Sequence, residues 1–343
     1  MKRVVRRVIN HKYVAMNPHI LVEGTIIDFD CYIKRFDDYV IIIESGTLIT
    51  PELAKTINQN QEMYISIYEI DKVNVYTKQY GVDNFGIESK KIRTVQEMLP
   101  IALTLNEELK QVQGFEAKIE KVYQTTAALM EAIFHEMNET LPLNALGECT
   151  EGLIDCLNIP DISVIPVVLR MMPHDYSTHH HSTNVAMLSI ILGKSIGLKK
   201  EELSDVAYAG LVHDIGKIRI DRYILLKPTS LEDDEYELIK RHADYGLEIL
   251  RNNGLENQKV LDGVHYHHEK LDGSGYPKKL RGKRIPKVAR IIGMCDVFDA
   301  LTTRRTYRSD YSSYEAILLI KQEMAEQFDE HYIDAFIRLL GPQ

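Results

Sequence analysis

The chain has few of the features that would assign it to a membrane, to a disulfide scaffold or to a nucleic-acid polymer. Its longest apolar stretches, Tyr39–Ile43 and Ile162–Leu169, fall far short of the roughly 20 residues that a membrane-spanning helix needs. The start, Met1-Lys2-Arg3-Val4-Val5-Arg6-Arg7, is basic, but no long apolar region follows, so a signal peptide is not expected and the location expected is cytoplasmic. Only 4 cysteines occur (Cys31, Cys149, Cys156 and Cys295), with no paired zinc-ribbon spacing. They read as reduced thiols. Cys149 and Cys156 can share a helix face, but two turns is too long a span for a disulfide. Positive charge is in deficit, 41 Lys and Arg against 50 Asp and Glu, for a net charge of −9. That balance argues against broad binding to nucleic acid or an anionic membrane, while leaving room for a local basic pocket that holds phosphate. No internal repeat or low-complexity segment stands out.

What is present is ordinary for a soluble globular protein, 45% apolar and 27% charged residues in a chain of 343, long enough that two domains are expected. Residues 1–80 read as a small strand-rich α/β unit. Gly24–Ile33 mixes β-branched and aromatic residues, Phe36-Asp37-Asp38 reads as a turn, and Tyr39–Ile43 as a buried strand. Thr50-Pro51-Glu52-Leu53 puts a capping threonine before proline at the first helical position, so a short helix should run to about Asn58. Met63–Ile70 alternates as a further strand. No catalytic cluster appears here, and a sensory, docking or purely structural role is open.

Residues 81–140 read as a linker followed by a helix. From Phe115 the apolar positions Ile119, Val122, Thr126, Leu129 and Ile133 step alternately by four and three, the seam of a coiled coil. The helix of 115–137 is thus expected either to join two copies of the chain or to pack on its own domain, with some preference for the homodimer. From about Leu141 the pattern is almost wholly helical: Leu146–Leu157, Val185–Ile196, Lys200–Val212, Leu231–Asn252, Ile285–Leu301 and Ser313–Ala325. The fold class expected is mostly α, an all-helical bundle over 141–343 with the small N-terminal α/β unit joined by a helical linker.

Histidine and aspartate cluster within that bundle. His213-Asp214-Ile215-Gly216-Lys217 closes an apolar helix. Adjacent residues on a helix point about 100° apart, which suits two ligands reaching around one metal or an aspartate bridging two. His181, His242, the pair His267-His268 and Asp296 add further donors in patterned settings. Five histidines and two aspartates without cysteine favour iron, manganese, nickel or zinc. Seven donors exceed one tetrahedral site and suit two octahedral metals sharing Asp214.

The HD dyad, followed by His267-His268-Glu269-Lys270-Leu271-Asp272-Gly273-Ser274-Gly275-Tyr276-Pro277, resembles the paired signatures of the HD-GYP phosphodiesterase family over roughly the last 200 residues, one domain's length. All seven donors fall on the family's ligand pattern. The resemblance implies a helical bundle with a di-iron or di-manganese centre that opens cyclic di-GMP to linear pGpG, and on to GMP in some cases, by attack of a metal-held hydroxide on phosphorus. The partition expected is His181, His213, Asp214 and Asp296 around one metal, with the others completing the second. Where some family members hold a third metal through a glutamate, this chain has Ser177, a poor ligand, so two metals are expected. Lys217 matches the family's active-site lysine and would stabilise developing negative charge. Substrate contacts are expected from Gly275 and Tyr276, and from Arg305 and Arg308, which match the family's arginines and grip phosphates by forked hydrogen bonds. Glu269 and Asp272 read as residues that orient the ligands or the loop. The resemblance also implies a diguanylate cyclase as a partner. Cyclic GMP-AMP as substrate, or a module that binds without cutting, are the alternatives.

Overall fold

A computed structural model describes residues 7–8, 13–16, 20–35, 38–57, 63–66, 69–80, 93–157, 168, 172, 178–225, 231–303 and 311–340. The described residues fall into two compact units, an N-terminal one ending before the helices that begin at residue 95 and a larger one that contains those helices. The fold is mostly helical with a small antiparallel sheet near the N-terminus.

The N-terminal unit is a five-stranded sheet in the order β1-β4-β3-β5-β2, made of β1 (Arg7–Val8), β2 (Tyr13–Met16), β3 (Cys31–Arg35), β4 (Asp38–Ile43) and β5 (Met63–Ser66). Strands β3 and β4 pair Arg35 with Asp38; Phe36 and Asp37 of the expected turn lie outside the described residues. Gly24–Asp30, expected to join β3 in one strand-like stretch, is irregular apart from a bridge between Ile26 and Leu48. Helix α1 (Pro51–Ile57) starts where its cap predicts: Leu53 N–H donates to Thr50 Oγ1. The last expected strand, Met63–Ile70, is formed over Met63–Ser66, and its final residue Ile70 instead opens α2 (Ile70–Tyr80). It buries Val73 and Tyr76 in a core with Ile27, Phe29, Ile49 and Ile65.

The larger unit opens with α3 (Val95–Leu103), α4 (Leu105–Gln111) and α5 (Phe115–Glu136), continues through α6 (Leu143–Cys156), α7 (Thr178–Ser195), α8 (Lys200–Val212) and a 3-10 turn Ile215–Arg219, then α9 (Arg222–Leu225), α10 (Asp233–Lys240), α11 (His242–Asn252), α12 (Gln258–Tyr266), α13 (Lys287–Thr302), α14 (Ser313–Glu323) and α15 (Glu330–Leu340). Two expectations need correction. The seam of α5 is not open to a second copy: Ile119, Val122, Thr126, Leu129 and Ile133 are all buried inside the chain's own core, with α3, α6 and α7 as neighbours. An amphipathic stripe that finds apolar surface within its own domain has none left for a coiled coil. The single helix expected over 231–252 is two, broken at Arg241.

Candidate metal centre

The seven donors come from five places on the bundle, and main-chain chemistry orients three of them. The last carbonyls of a helix have no partner within it. Three imidazoles take up such carbonyls. His213, at the end of α8, donates from Nδ1 to Gly210 O; His267, at the end of α12, donates to Val264 O; and His242, just past α10, donates to Ile239 O, each at 2.7 Å. A carbonyl only accepts, so each ring carries its proton on Nδ1 and presents a bare Nε2 lone pair to the interior. The break at Arg241 is what brings His242 into this arrangement. His181, on α7, is held differently, its Nδ1 donating to Asp299 Oδ2 at 2.7 Å.

The donors gather in two groups, Asp214 with His242, His267 and His268, and His181 with His213 and Asp296. Asp214 lies between them. Its Oδ1 is 3.4 Å from His242 Nε2, while its Oδ2 is 3.5 Å from His213 Nε2 and 3.8 Å from His181 Nε2. Asp296 Oδ1 is 3.2 Å from His181 Nε2, and Asp296 Oδ2 is 3.7 Å from His268 Nδ1. Gly216 permits this approach. A Cβ there would lie 1.9 Å from His242 O, so only glycine lets the turn after Asp214 press against the start of α11.

Burial sets the charge states. It pushes His267 and His268 well below the ordinary imidazole range, with the neighbouring imidazoles adding to the effect. It also lowers His213 and His242, against the pull of Asp214. Burial opposes ionisation of Asp214 and Asp296 too. Lys217 and the histidines outweigh it at Asp214, and His181 and His268 at Asp296, so both carboxyls lie well below their usual range. At His181 burial is outweighed by Asp296 and Asp299, and its pKa rises.

These residues fit divalent metal. His213 Nε2 is buried and has no hydrogen-bond partner among the described residues. His242 Nε2 and His267 Nε2 face each other at 3.2 Å. Both rings already spend their proton on a carbonyl, so two lone pairs meet there. A cation between them relieves that repulsion, and nitrogen and oxygen donors in this mixture suit a first-row divalent ion.

Lys217 Nζ donates to Asp214 Oδ2 at 2.5 Å, so the lysine reaches the carboxylate common to both groups. The Gly-Tyr-Pro loop is closed on itself by Glu269, whose carboxylate accepts Lys278 N–H at 2.6 Å and Leu280 N–H at 2.8 Å. Asp272 accepts from Ser274 N–H and Oγ and so shapes the turn. Gly275 also has a role within the loop: a Cβ there would come within 2.5 Å of the backbone of Glu269 and Lys270. Its smallness lets the loop fold back on the segment that follows His267-His268. Tyr276 stacks on the His268 ring with centroids 4.6 Å apart, and Lys240 Nζ lies 5.9 Å from the Tyr276 ring centre. Arg305, Arg308 and Ser177 lie outside the described residues.

The sequence reading missed Asp299, Asn184 and Lys240. The first two carried a signal, because each follows a donor by three residues (Asp296 and His181) on the same helix and so on the same face.

Residues 168–332 match the HD domain family. Domains of this kind use divalent metals. A cyclic di-GMP phosphodiesterase of Pseudomonas aeruginosa is 36% identical over 177 residues, 51% of this chain and 42% of the relative. The 3'3'-cGAMP-specific phosphodiesterase 1 of Vibrio cholerae is 38% identical over 165 residues, 47% of this chain and 37% of the relative. The chain thus spans less than half the length of these relatives. An HDG"Y"P protein from Bdellovibrio bacteriovorus shares the fold, with a TM-score of 0.56 at 18% identity over 96% of this chain and 100% of that one. No helix among the described residues is long and apolar enough to cross a membrane.

Proposed function

We propose that this chain is a metal-dependent phosphodiesterase that hydrolyses cyclic di-GMP to linear pGpG. The observation that carries this reading is the pair of donor groups sharing Asp214, with Lys217 on the same carboxylate. Two divalent metals, iron or manganese, would be held by His181, His213 and Asp296 and by His242, His267 and His268, with Asp214 as a donor placed between the two groups. When bound, such a pair supplies a water of lowered pKa and neutralises phosphate oxygens.

The chain's own residues do the rest. The main-chain carbonyls behind His213, His242 and His267 keep their Nε2 atoms aimed inward. Lys217 offers an ammonium to the charge that grows on the phosphate. Tyr276, with one ring face on His268, offers an aromatic surface for a purine, and Lys240 adds positive charge beside it. Arg305 and Arg308 grip phosphate. The protein acts in the cytoplasm, opposite a diguanylate cyclase that makes its substrate.

The test is anaerobic turnover of cyclic di-GMP by protein reconstituted with Fe(II) or Mn(II), metals being counted in the same sample and cyclic GMP-AMP run in parallel. Release of pGpG by protein holding two metals is the expected result. Two bound metals with no cleavage of cyclic di-GMP overturns it, and cleavage of cyclic GMP-AMP alone reassigns the substrate.

A further inference from the structure

Helix α5 lies ahead of the matched HD domain, yet it reaches the metal centre through a buried chain of hydrogen bonds. Tyr123, on α5, donates its hydroxyl to Asn184 Oδ1 at 2.8 Å. Asn184, one turn past His181 on α7, donates from Nδ2 to Asp299 Oδ1 at 2.9 Å. Asp299, one turn past Asp296 on α13, accepts from His181 Nδ1 at 2.7 Å through its other oxygen. All four side chains are buried. The order of donors is forced. An ionised carboxylate only accepts, so the amide must turn its NH2 to Asp299 and its oxygen to Tyr123, and the imidazole must carry its proton on Nδ1. Two neighbouring contacts join the same elements: His179 Nε2 lies 3.7 Å from Glu131 Oε1 of α5, and the His180 ring faces the Tyr123 ring at 6.1 Å.

We infer that α5 completes the metal centre, and that Tyr123 and Asn184 are positioning residues for His181. Tyr123 fixes which way the Asn184 amide faces, the amide holds Asp299 in one rotamer, and Asp299 keeps Nε2 of His181 aimed at the His213–Asp296 group. The other three oriented histidines rest on main-chain carbonyls three residues before them, so this dependence belongs to one half of the centre. The inference rests on the two-metal reading given above.

The experiment is Mn(II) titration of the metal-stripped full chain, free Mn(II) being read by EPR, for the wild type, Tyr123→Phe, Asn184→Ala and the control Thr126→Val. Thr126 is buried on the same helix, and its hydroxyl donates to Val122 O of α5. The expected result is that one of two binding steps weakens, about fivefold in Tyr123→Phe and about 10- to 100-fold in Asn184→Ala. The other step, and both steps of Thr126→Val, should stay as in the wild type. Wild-type binding in Tyr123→Phe and Asn184→Ala overturns the inference, as does an equal loss in Thr126→Val, which would mean general loosening. If Asn184→Ala does not fold, Tyr123→Phe, which removes a single oxygen, decides. A wild type that binds no Mn(II) refutes the two-metal reading itself.

Discussion

Gly216→Ala adds one methyl group at the point where the two donor groups are drawn together. The Cβ would stand 1.9 Å from His242 O and 2.5 Å from Gly246 N, and neither contact can be relieved by rotating a side chain, because both are main-chain atoms. To restore ordinary contact the 3-10 turn must retreat from α11 by roughly 1.5 Å. Asp214 sits at the start of that turn and His242 at the start of the helix, so the retreat separates two residues of one donor group. Metal-ligand distances tolerate about 0.2 Å, and a displacement of about 1 Å commonly costs about a hundredfold in rate. The substitution should therefore cost about 1–3 kcal/mol of folding stability and, more specifically, abolish tight binding at the His242 half of the centre and lower turnover about 100-fold or more. Thermal melting with and without Mn(II), beside a metal count, separates the two effects. Wild-type melting should shift upward with metal and the variant's should shift much less. A variant that holds two metals and turns over within twofold of the wild type would refute the reasoning, because the turn would then not set the Asp214–His242 spacing.

Other expectations follow from the same geometry. Asp214→Ala should lose both metals together, whereas His267→Ala should lose one; elemental analysis of the purified variants distinguishes a shared ligand from a private one. Lys217→Met should keep its metals and lose about 10²–10³-fold in kcat, measured by chromatography of pGpG; undiminished turnover would remove Lys217 from the active site. In the metal-stripped protein, His213, His242, His267 and His268 have pKa values held below the 6.5 of an ordinary imidazole. The unfolded chain then binds more protons below about pH 6.5, and stability from these four falls as the pH drops below that value, while His181, raised instead, works the other way. Melting temperature should decline from pH 7 to pH 5 and recover when metal is restored; a flat profile would show that the rings are not held neutral. Burial pushes the Cys149 thiol up to about 12 and the Cys156 thiol up to about 11, so a thiol reagent at pH 8 should label the native protein slowly and the unfolded protein fully.

The residue types of the centre were legible in the sequence because metal chemistry restricts them. Histidine and aspartate at HD, HHE and Asp296 have few other reasons to collect on apolar helices. The helices were legible for an equally local reason: periodic apolar residues and caps such as Thr50 act within a few residues. What could not be read depended on where separate elements meet. The stripe on α5 has the spacing of a coiled coil, and whether it meets a second copy or α3, α6 and α7 is a tertiary fact. The break at Arg241 left no proline or glycine behind, since its main chain stays in the right-handed helical region and only the hydrogen-bond ladder changes. The close approach of the loop's own backbone at Gly275 is likewise a contact between segments, which the sequence does not display.

The way the imidazoles are held also bears on how such a centre can vary over generations. His213, His242 and His267 are oriented by peptide carbonyls, and every amino acid supplies the same carbonyl. Substitutions at Ile239 or Val264 would leave the acceptor in place so long as the helix end survives. His181 leans on a carboxylate that is itself leaned on by an amide and a phenol, and each of these can be lost by a single codon change. Three of the rings are thus insulated from drift in their surroundings, while the fourth is open to it, and inherited differences in metal preference should accumulate around His181.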